Sequence, residues 1–285
     1  MNNQHFRNVL ELTLATVLIS SAAVLGKYIA MPTAVIIWWR SALALIFLFA
    51  FCKLQKVNLK FRSKKDARTV LISALFLGAH WITYFHSVKV SNVSIGMLSL
   101  YTYPAITAIL EPILTKTKFN KVHLLLAILV LIGVYILAPE FNTENSHFKG
   151  VIWGVISAIL FTLRNIMLKR SSKSHNGTMI MMHQLLVVTI VLVPVLFIFG
   201  TSEISTQYPY VIILALLATA VGHSLLIKSL KYFSVSTASI ILSTQPFFGI
   251  LLAYFFLNEI PTSNTFIGGT LIISTVIIES IRSRK

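Results

Sequence analysis

The chain has 285 residues, 56% hydrophobic and 11% charged, with 24 Lys and Arg against 8 Asp and Glu. A soluble protein of this length carries about 25% charged residues, so the composition excludes an ordinary soluble domain and points to a polytopic membrane protein. The net charge of +16 does not point to nucleic acid: it lies in short clusters beside apolar runs, and no folded module is left to bind such a partner.

The apolar residues come in blocks of about twenty, the length that crosses the hydrocarbon core. Ten spans are predicted: Val9–Ala30, Thr33–Cys52, Ala67–Val88, Val93–Thr115, Val122–Ala138, Gly150–Leu168, Thr178–Phe199, Tyr208–Lys228, Ser236–Leu257 and Asn264–Ile281. The first block is read as a span, not a cleavable signal, because it is long and contains Glu11 and Lys27. Cys52 is the single cysteine, so no internal disulfide forms. The fourth span carries Ser99-Leu100-Tyr101-Thr102-Tyr103-Pro104. Its proline removes a backbone donor and clashes with the preceding turn, which predicts a kink or break near Tyr101. The ninth span repeats the pattern as Ile241-Leu242-Ser243-Thr244-Gln245-Pro246. Pro104 and Pro246 are therefore the expected hinges.

Orientation follows from the cations. With the N-terminus in the cytoplasm, the inner segments hold Arg7, the cluster Lys53, Lys56, Lys60, Arg62, Lys64, Lys65 and Arg68, then Lys116, Lys118, Lys121, Lys169, Arg170, Lys173, Lys228, Lys231 and the tail Arg282, Arg284 and Lys285. The outer segments hold only Lys27, Lys89 and Lys149, together with Glu140, Glu144, Glu203 and Glu259. That asymmetry places both termini inside.

An internal repeat recurs at an offset of 142 residues. It pairs Lys27 with Lys169, Leu75 with Leu217, Ser87 with Ser229, Lys89 with Lys231, Thr102 with Thr244 and Pro104 with Pro246. The expected halves are residues 1–141 and 148–285, joined by a short polar linker, Asn142–His147. Each holds five spans, an odd number, so the second half enters the bilayer inverted. A broken, hydroxyl-rich helix in each inverted half marks a shared binding site near the midplane.

The candidate residues follow from polarity within the spans. Ser73, His80, Thr83, Tyr84 and Ser87 form one helical stripe, and Ser236, Ser239 and Ser243 a second. Such stripes line a cavity or make hydrogen bonds between helices. His80 and His223 occupy equivalent places in the two halves, within one residue, and could bind substrate or carry a proton; a buried structural role is the alternative. His183 has no such partner and is a weaker candidate. Arg164, beside Asn165 in the sixth span, suits a carboxylate or snorkels toward the surface. Arg40, behind Trp38 and Trp39, reads as an interfacial anchor or a structural pair. Trp81, Tyr84, Tyr101 and Tyr103 could stack on a ligand. Glu11, Glu111 and Glu279 fall near the cytoplasmic interface and read as ion-pair partners. No nucleophile, zinc or phosphate-loop motif occurs, so catalysis, metal and cofactor are not expected, and a proton, sodium or solute gradient would supply any driving force.

Ten spans in two inverted halves, Arg40 in the second span, Lys27 and Lys169 at span ends, the Pro104 and Pro246 helices, and Asn258-Glu259 after the ninth span resemble the EamA-like proteins of the drug/metabolite transporter superfamily. The family usually has an acidic residue thirteen positions after the proline; Glu259 fits, and Thr117 departs from it in the first half. The resemblance implies an exporter of amino acids or related small metabolites in a bacterial inner membrane. It implies a basket of helices whose cavity His80, Tyr84, Tyr101, Arg164, His223, Ser243 and Gln245 would line, with Gly133, Gly268 and Gly269 permitting close contact of the outer spans. Rival readings are efflux of apolar cations, an intramembrane enzyme, and a scaffold or sensor.

Overall fold

The structure, a computed structural model, describes residues 3–116, 121–137, 144–200, 204–233, 235–242 and 244–283. Those residues are all-helical. In order they form α1 (Asn3–Tyr28), α2 (Thr33–Leu54), α3 (Lys64–Val90), α4 (Val93–Leu100), α5 (Tyr103–Thr115), α6 (Lys121–Leu137), α7 (Ser146–Ser174), α8 (Gly177–Val191), α9 (Val193–Phe199) and α10 (Ile204–Ile213). A π-helix follows at Leu214–Gly222, then α11 (His223–Ser229), α12 (Val235–Leu242), α13 (Gln245–Leu257) and α14 (Ser263–Ser283). Among the described residues, six helices are long and apolar enough to cross a membrane, and seven if the bent pair α8–α9 counts as one.

Short polar residues start the helices. Ser63 accepts from the Asp66 amide at the head of α3, Asn92 from Ile95 at α4, Asn145 from His147 at α7, and Asn176 from Thr178 at α8. Each such cap contributes about 1 kcal/mol by satisfying an orphan donor. Two boundaries differ from expectation. The sixth span begins at Ser146 and runs to Ser174, because Asn145 caps it earlier than the apolar run suggested; the expected linker therefore overlaps the helix start. The seventh is bent by 40° at Leu192, where Pro194 opens α9 and cannot continue the α8 ladder.

The fourth and ninth spans are broken rather than kinked. α4 ends at Leu100 and α5 resumes at Tyr103. In the gap Thr102 turns its hydroxyl back onto the Ser99 carbonyl at 2.8 Å, and Pro104 has no amide to give. Thr244 repeats the contact on the Ile241 carbonyl at 3.0 Å. The starts and ends of α12 and α13 fall 142 residues after those of α4 and α5, and α14 starts 142 after α6. The closing residues match as well: Lys116 and Asn258 both adopt left-handed backbone, at φ 55° and 54°.

Helix ends are tied together by lysines. Lys27 Nζ donates to the carbonyls of Val88 and Lys89 in the last turn of α3 and of Ser91 just beyond it, at 2.8–3.2 Å. Lys89 Nζ returns the contact to Ile29 and Met31 beyond α1, at 2.9 and 2.6 Å. Lys169 Nζ does the same for Leu230 and Phe233 beyond α11. These ammonium groups satisfy carbonyls that a helix C-terminus leaves open.

The exterior is apolar and the interior carries the polar groups. Phe197, Phe247, Phe255, Phe256 and Leu131 are exposed, whereas Arg40, Arg164, Gln184, Thr219, His80 and His223 are buried. Such an arrangement is stable where lipid surrounds the molecule. α6 and α14 pack side by side. A Cβ on Gly133 would lie 2.7 Å from Ile272 Cγ1 and 3.1 Å from the Gly268 carbonyl, while one on Gly269 would press on Leu98. Gly133→Leu is therefore expected to destabilise the protein by about 1–3 kcal/mol, as overpacking does. A fall of several degrees in the thermal midpoint of the detergent-purified protein checks this; an unchanged midpoint would show that the two helices separate freely.

Candidate functional site

The broken helices, together with α1, α2, α3, α7 and α11, enclose one small cavity. Its wall is formed by Arg40 of α2; His80, Trp81, Tyr84 and Phe85 of α3; Leu100, Tyr101 and Tyr103 at the first break; Phe161 of α7; His223 of α11; Gln245 at the second break; and Ile19 and Ala22 of α1. The volume open to the centre of a water molecule is about 30 Å³. That holds ordered water, whereas sites for small organic ligands measure about 300–1,000 Å³. A metabolite therefore enters only if the surrounding helices move apart.

Two roomier spaces, of about 530 and 420 Å³, are apolar grooves at the exterior. One lies between α13 and α14, the other among α5, α6 and α7. Their linings suit acyl chains, not a polar solute.

Within the cavity wall, His80 is held across the α3–α7 contact. The Ser157 hydroxyl donates to the His80 carbonyl at 2.9 Å, which commits its only proton. His80 Nδ1 lies 2.7 Å from the same hydroxyl oxygen and 3.2 Å from the Ser157 carbonyl, so Nδ1 is the donor and Nε2 keeps its lone pair. The ring stacks on Tyr84 at 8° and 6.1 Å and tilts against Phe161 at 4.7 Å. His223 meets Trp81 edge-on at 5.3 Å, and its Nδ1 has no partner among the described residues. Tyr101 and Tyr103 flank the break with ring centroids 5.4 Å apart.

Five residues singled out from the sequence thus share one cavity: His80, Tyr84, Tyr101, His223 and Gln245. Trp81 and Tyr103, expected as stacking surfaces, join them. Ser243 lies outside the described residues, as do the side chains of Ser236, Ser239 and Glu279. Arg164 is not in the cavity wall. Its Nη2 donates to Gln184 Oε1 at 2.7 Å and its Nη1 to Asn165 Oδ1 at 3.0 Å; Gln184 in turn donates to Ser73 Oγ at 2.9 Å. Fully buried, the guanidinium does not snorkel. His183 packs on Phe61 at 4.5 Å, away from the cavity. Glu11 forms the expected ion pairs, with Lys228 at 2.6 Å and Arg7 at 3.4 Å.

Arg40 departs most from expectation. It is fully buried in the cavity wall and is no interfacial anchor. Its Nε and Nη2 both donate to Thr219 Oγ1, at 2.9 and 2.7 Å. The π-helix presents that oxygen, and the Thr219 hydroxyl proton goes to the Leu214 carbonyl five residues back. Trp81 and Phe85 hold the guanidinium carbon 4.2 and 5.2 Å from their ring centroids. The adjacent Trp38 and Trp39 suggested a membrane interface; the signal for burial was the four-residue stripe Ile36, Arg40, Ala44, Leu48, all buried.

An apolar shell of helices around a buried polar centre defines a multi-pass membrane protein. Residues 8–138 and 148–281 each match the EamA-like transporter family. The chain therefore belongs to the EamA-like transporters of the drug/metabolite transporter superfamily. It is 25% identical to an uncharacterized transporter of Archaeoglobus fulgidus, covering 94% of each chain. It is 20% identical to the pseudopaline exporter of Pseudomonas aeruginosa over 90% of this chain and 88% of the relative. A segment covering 40% of this chain is 27% identical to 39% of the S-adenosylmethionine uptake transporter of Rickettsia felis. A crystal structure of a protein 16% identical in sequence superposes with a TM-score of 0.74, covering 98% of this chain and 99% of the other, which establishes the shared fold.

Proposed function

We propose that this transporter is a secondary carrier that exports amino acids or related small metabolites across a bacterial inner membrane by alternating access. The observation that carries the reading is the meeting of His80, Tyr84, Tyr101, His223 and Gln245 in one polar, aromatic cavity bounded by both broken helices. Ten crossings in two inverted halves, residues 1–141 and 148–285, are supported by the helix boundaries that recur at an offset of 142. The cation asymmetry supports cytoplasmic termini. The pseudopaline exporter, a relative across most of the chain, supports the outward direction. A proton or ion gradient is the proposed driving force. In this scheme the hairpins Ala67–Thr115 and Tyr208–Leu257 rock about the breaks before Pro104 and Pro246, opening the cavity to one side at a time.

Proteoliposomes loaded with labelled amino acids test this. The wild-type protein is expected to release at least one of them faster than protein-free vesicles. His80→Ala is expected to slow release by about tenfold while the protein still purifies as a folded species, because a buried polar contact at the site is lost. Equal release from protein-containing and empty vesicles, for every amino acid tried, would end the reading.

A further inference from the structure

We infer that the cavity is an anion site and that Arg40, rather than Arg164, is the group that receives the solute's negative charge. The inference rests on the carrier reading above and names the class of solute.

Two observations combine. First, both interior arginines are fully buried, yet among the described residues no Asp or Glu is buried. A guanidinium stays protonated in proteins, and burying it without a counter-charge costs several kcal/mol. Its neutral neighbours, Thr219 and the faces of Trp81 and Phe85, offset only part of that. An anion entering the cavity would supply the rest. Second, each arginine keeps one nitrogen without a partner among the described residues, Nη1 of Arg40 and Nε of Arg164, but only Arg40 stands at the cavity. Arg164 shares its Nη atoms with Asn165 and Gln184 and stands outside the wall. Arg40 stands in the wall, and its Nη1 has no partner. The Thr219 oxygen anchors the Nε–Nη2 side of the fork, which fixes the plane of the guanidinium and leaves Nη1 available.

His223 Nδ1 and Ser224 Oγ, also buried and unpartnered, belong to the helix directly after the π-helix that carries Thr219. His223 shares the cavity wall with Arg40, and the two form a pair of unused hydrogen-bonding groups that the guanidinium biases toward negative charge. A carboxylate fits it, with Nη1 donating a charge-assisted bond. A net cation would bring a second positive charge beside Arg40, and like charges this close oppose binding. The cavity is thus expected to select zwitterionic or acidic solutes over their cationic amides.

Trp81 provides the readout. Its ring covers the Arg40 guanidinium, so an anion drawn to Arg40 changes its surroundings directly. The full-length protein, in nanodiscs, is titrated with aliphatic, aromatic and acidic L-amino acids and with the corresponding amino-acid amides, following tryptophan fluorescence. At least one acid is expected to give a saturable change that Trp81→Phe removes, with its amide at least about tenfold weaker, as losing a charge-assisted hydrogen bond implies. Arg40→Gln should abolish the discrimination and Arg40→Lys should keep part of it. Thr219→Val, which frees the fork without removing charge, should weaken acid binding relative to wild type and leave amide binding within about twofold; it serves as the second test if Arg40→Gln does not fold. Acids and amides binding within twofold of each other, or saturable binding by none of the acids, overturns the anion site. Discrimination that survives in folded Arg40→Gln overturns the assignment to Arg40. Efflux from proteoliposomes made with the same purified protein separates these results from failure of the carrier reading: amides released as fast as acids would leave a carrier without an anion site.

Discussion

Gly154→Leu is expected to yield no folded protein at the growth temperature, and Gly154→Ala a protein that is measurably less stable. Gly154 lies on the face of α7 that meets the end of α4. A Cβ placed there would sit 2.4 Å from Ser99 Cβ, 3.3 Å from Ser87 Oγ and 3.4 Å from the backbone nitrogen of Leu100. Ser99 Cβ is short and rooted in backbone, so it cannot swing aside. Even the alanine must push α4 away from α7, at about 1–3 kcal/mol for overpacking. A leucine adds three further carbons at the same place. One turn further along α7, Ser157 holds His80, and displacing α7 would break that contact too. The fraction of monodisperse protein after detergent extraction, followed by a thermal melt of the alanine variant, checks both. A leucine variant that melts with the wild type would show that the α4–α7 contact is loose.

The second large effect is expected at Gln184. Gln184→Leu should destabilise the protein by about 2–3 kcal/mol, the range for losing hydrogen bonds to a buried charge, whereas Ser73→Ala should cost about 1 kcal/mol, a neutral bond. The reason is order in the chain of contacts. Arg164 Nη2 donates to Gln184 Oε1, Gln184 Nε2 donates to Ser73 Oγ, and Ser73 Oγ donates to the Val70 carbonyl. Cutting at Ser73 leaves the guanidinium served by Gln184. Cutting at Gln184 leaves Nη2 with only the Met181 sulfur at 3.8 Å, in addition to an Nε that already lacks a partner. Relative thermal midpoints of the two variants decide the matter; equal losses would mean that Gln184 acts by packing alone.

Most of the architecture was legible because a bilayer imposes period and length on the sequence. Pro104 and Pro246 announced the breaks, whereas the hydroxyl turns of Thr102 and Thr244 that fill them emerged only in the structure. The polar stripe through His80 and Tyr84 pointed inward, since lipid satisfies no imidazole. The two arginines defeated that logic. A guanidinium in a span signals a buried role, but which neighbour receives it depends on helices far away in sequence: Thr219 is 179 residues from Arg40, and Gln184 lies on another helix from Arg164. The π-helix was equally silent in the sequence, because its residues, Leu214–Gly222, are an unremarked apolar run. Helix ends drifted where a cap, as at Asn145, or a late proline, as at Pro194, outvoted hydropathy.

The lysine ties leave the two ends of the bundle unequal. Where α1 meets α3, two ammonium groups hold five carbonyls, those of Val88, Lys89, Ser91, Ile29 and Met31. Where α7 meets α11, Lys169 holds two among the described residues, those of Leu230 and Phe233, and Lys231 lies exposed beside the Tyr232 ring. Among the described residues, prising the first seam open strands more acceptors than prising the second. The seam between α1 and α3 is therefore expected to be the costlier of the two to part, because more carbonyls would lose their ammonium partners.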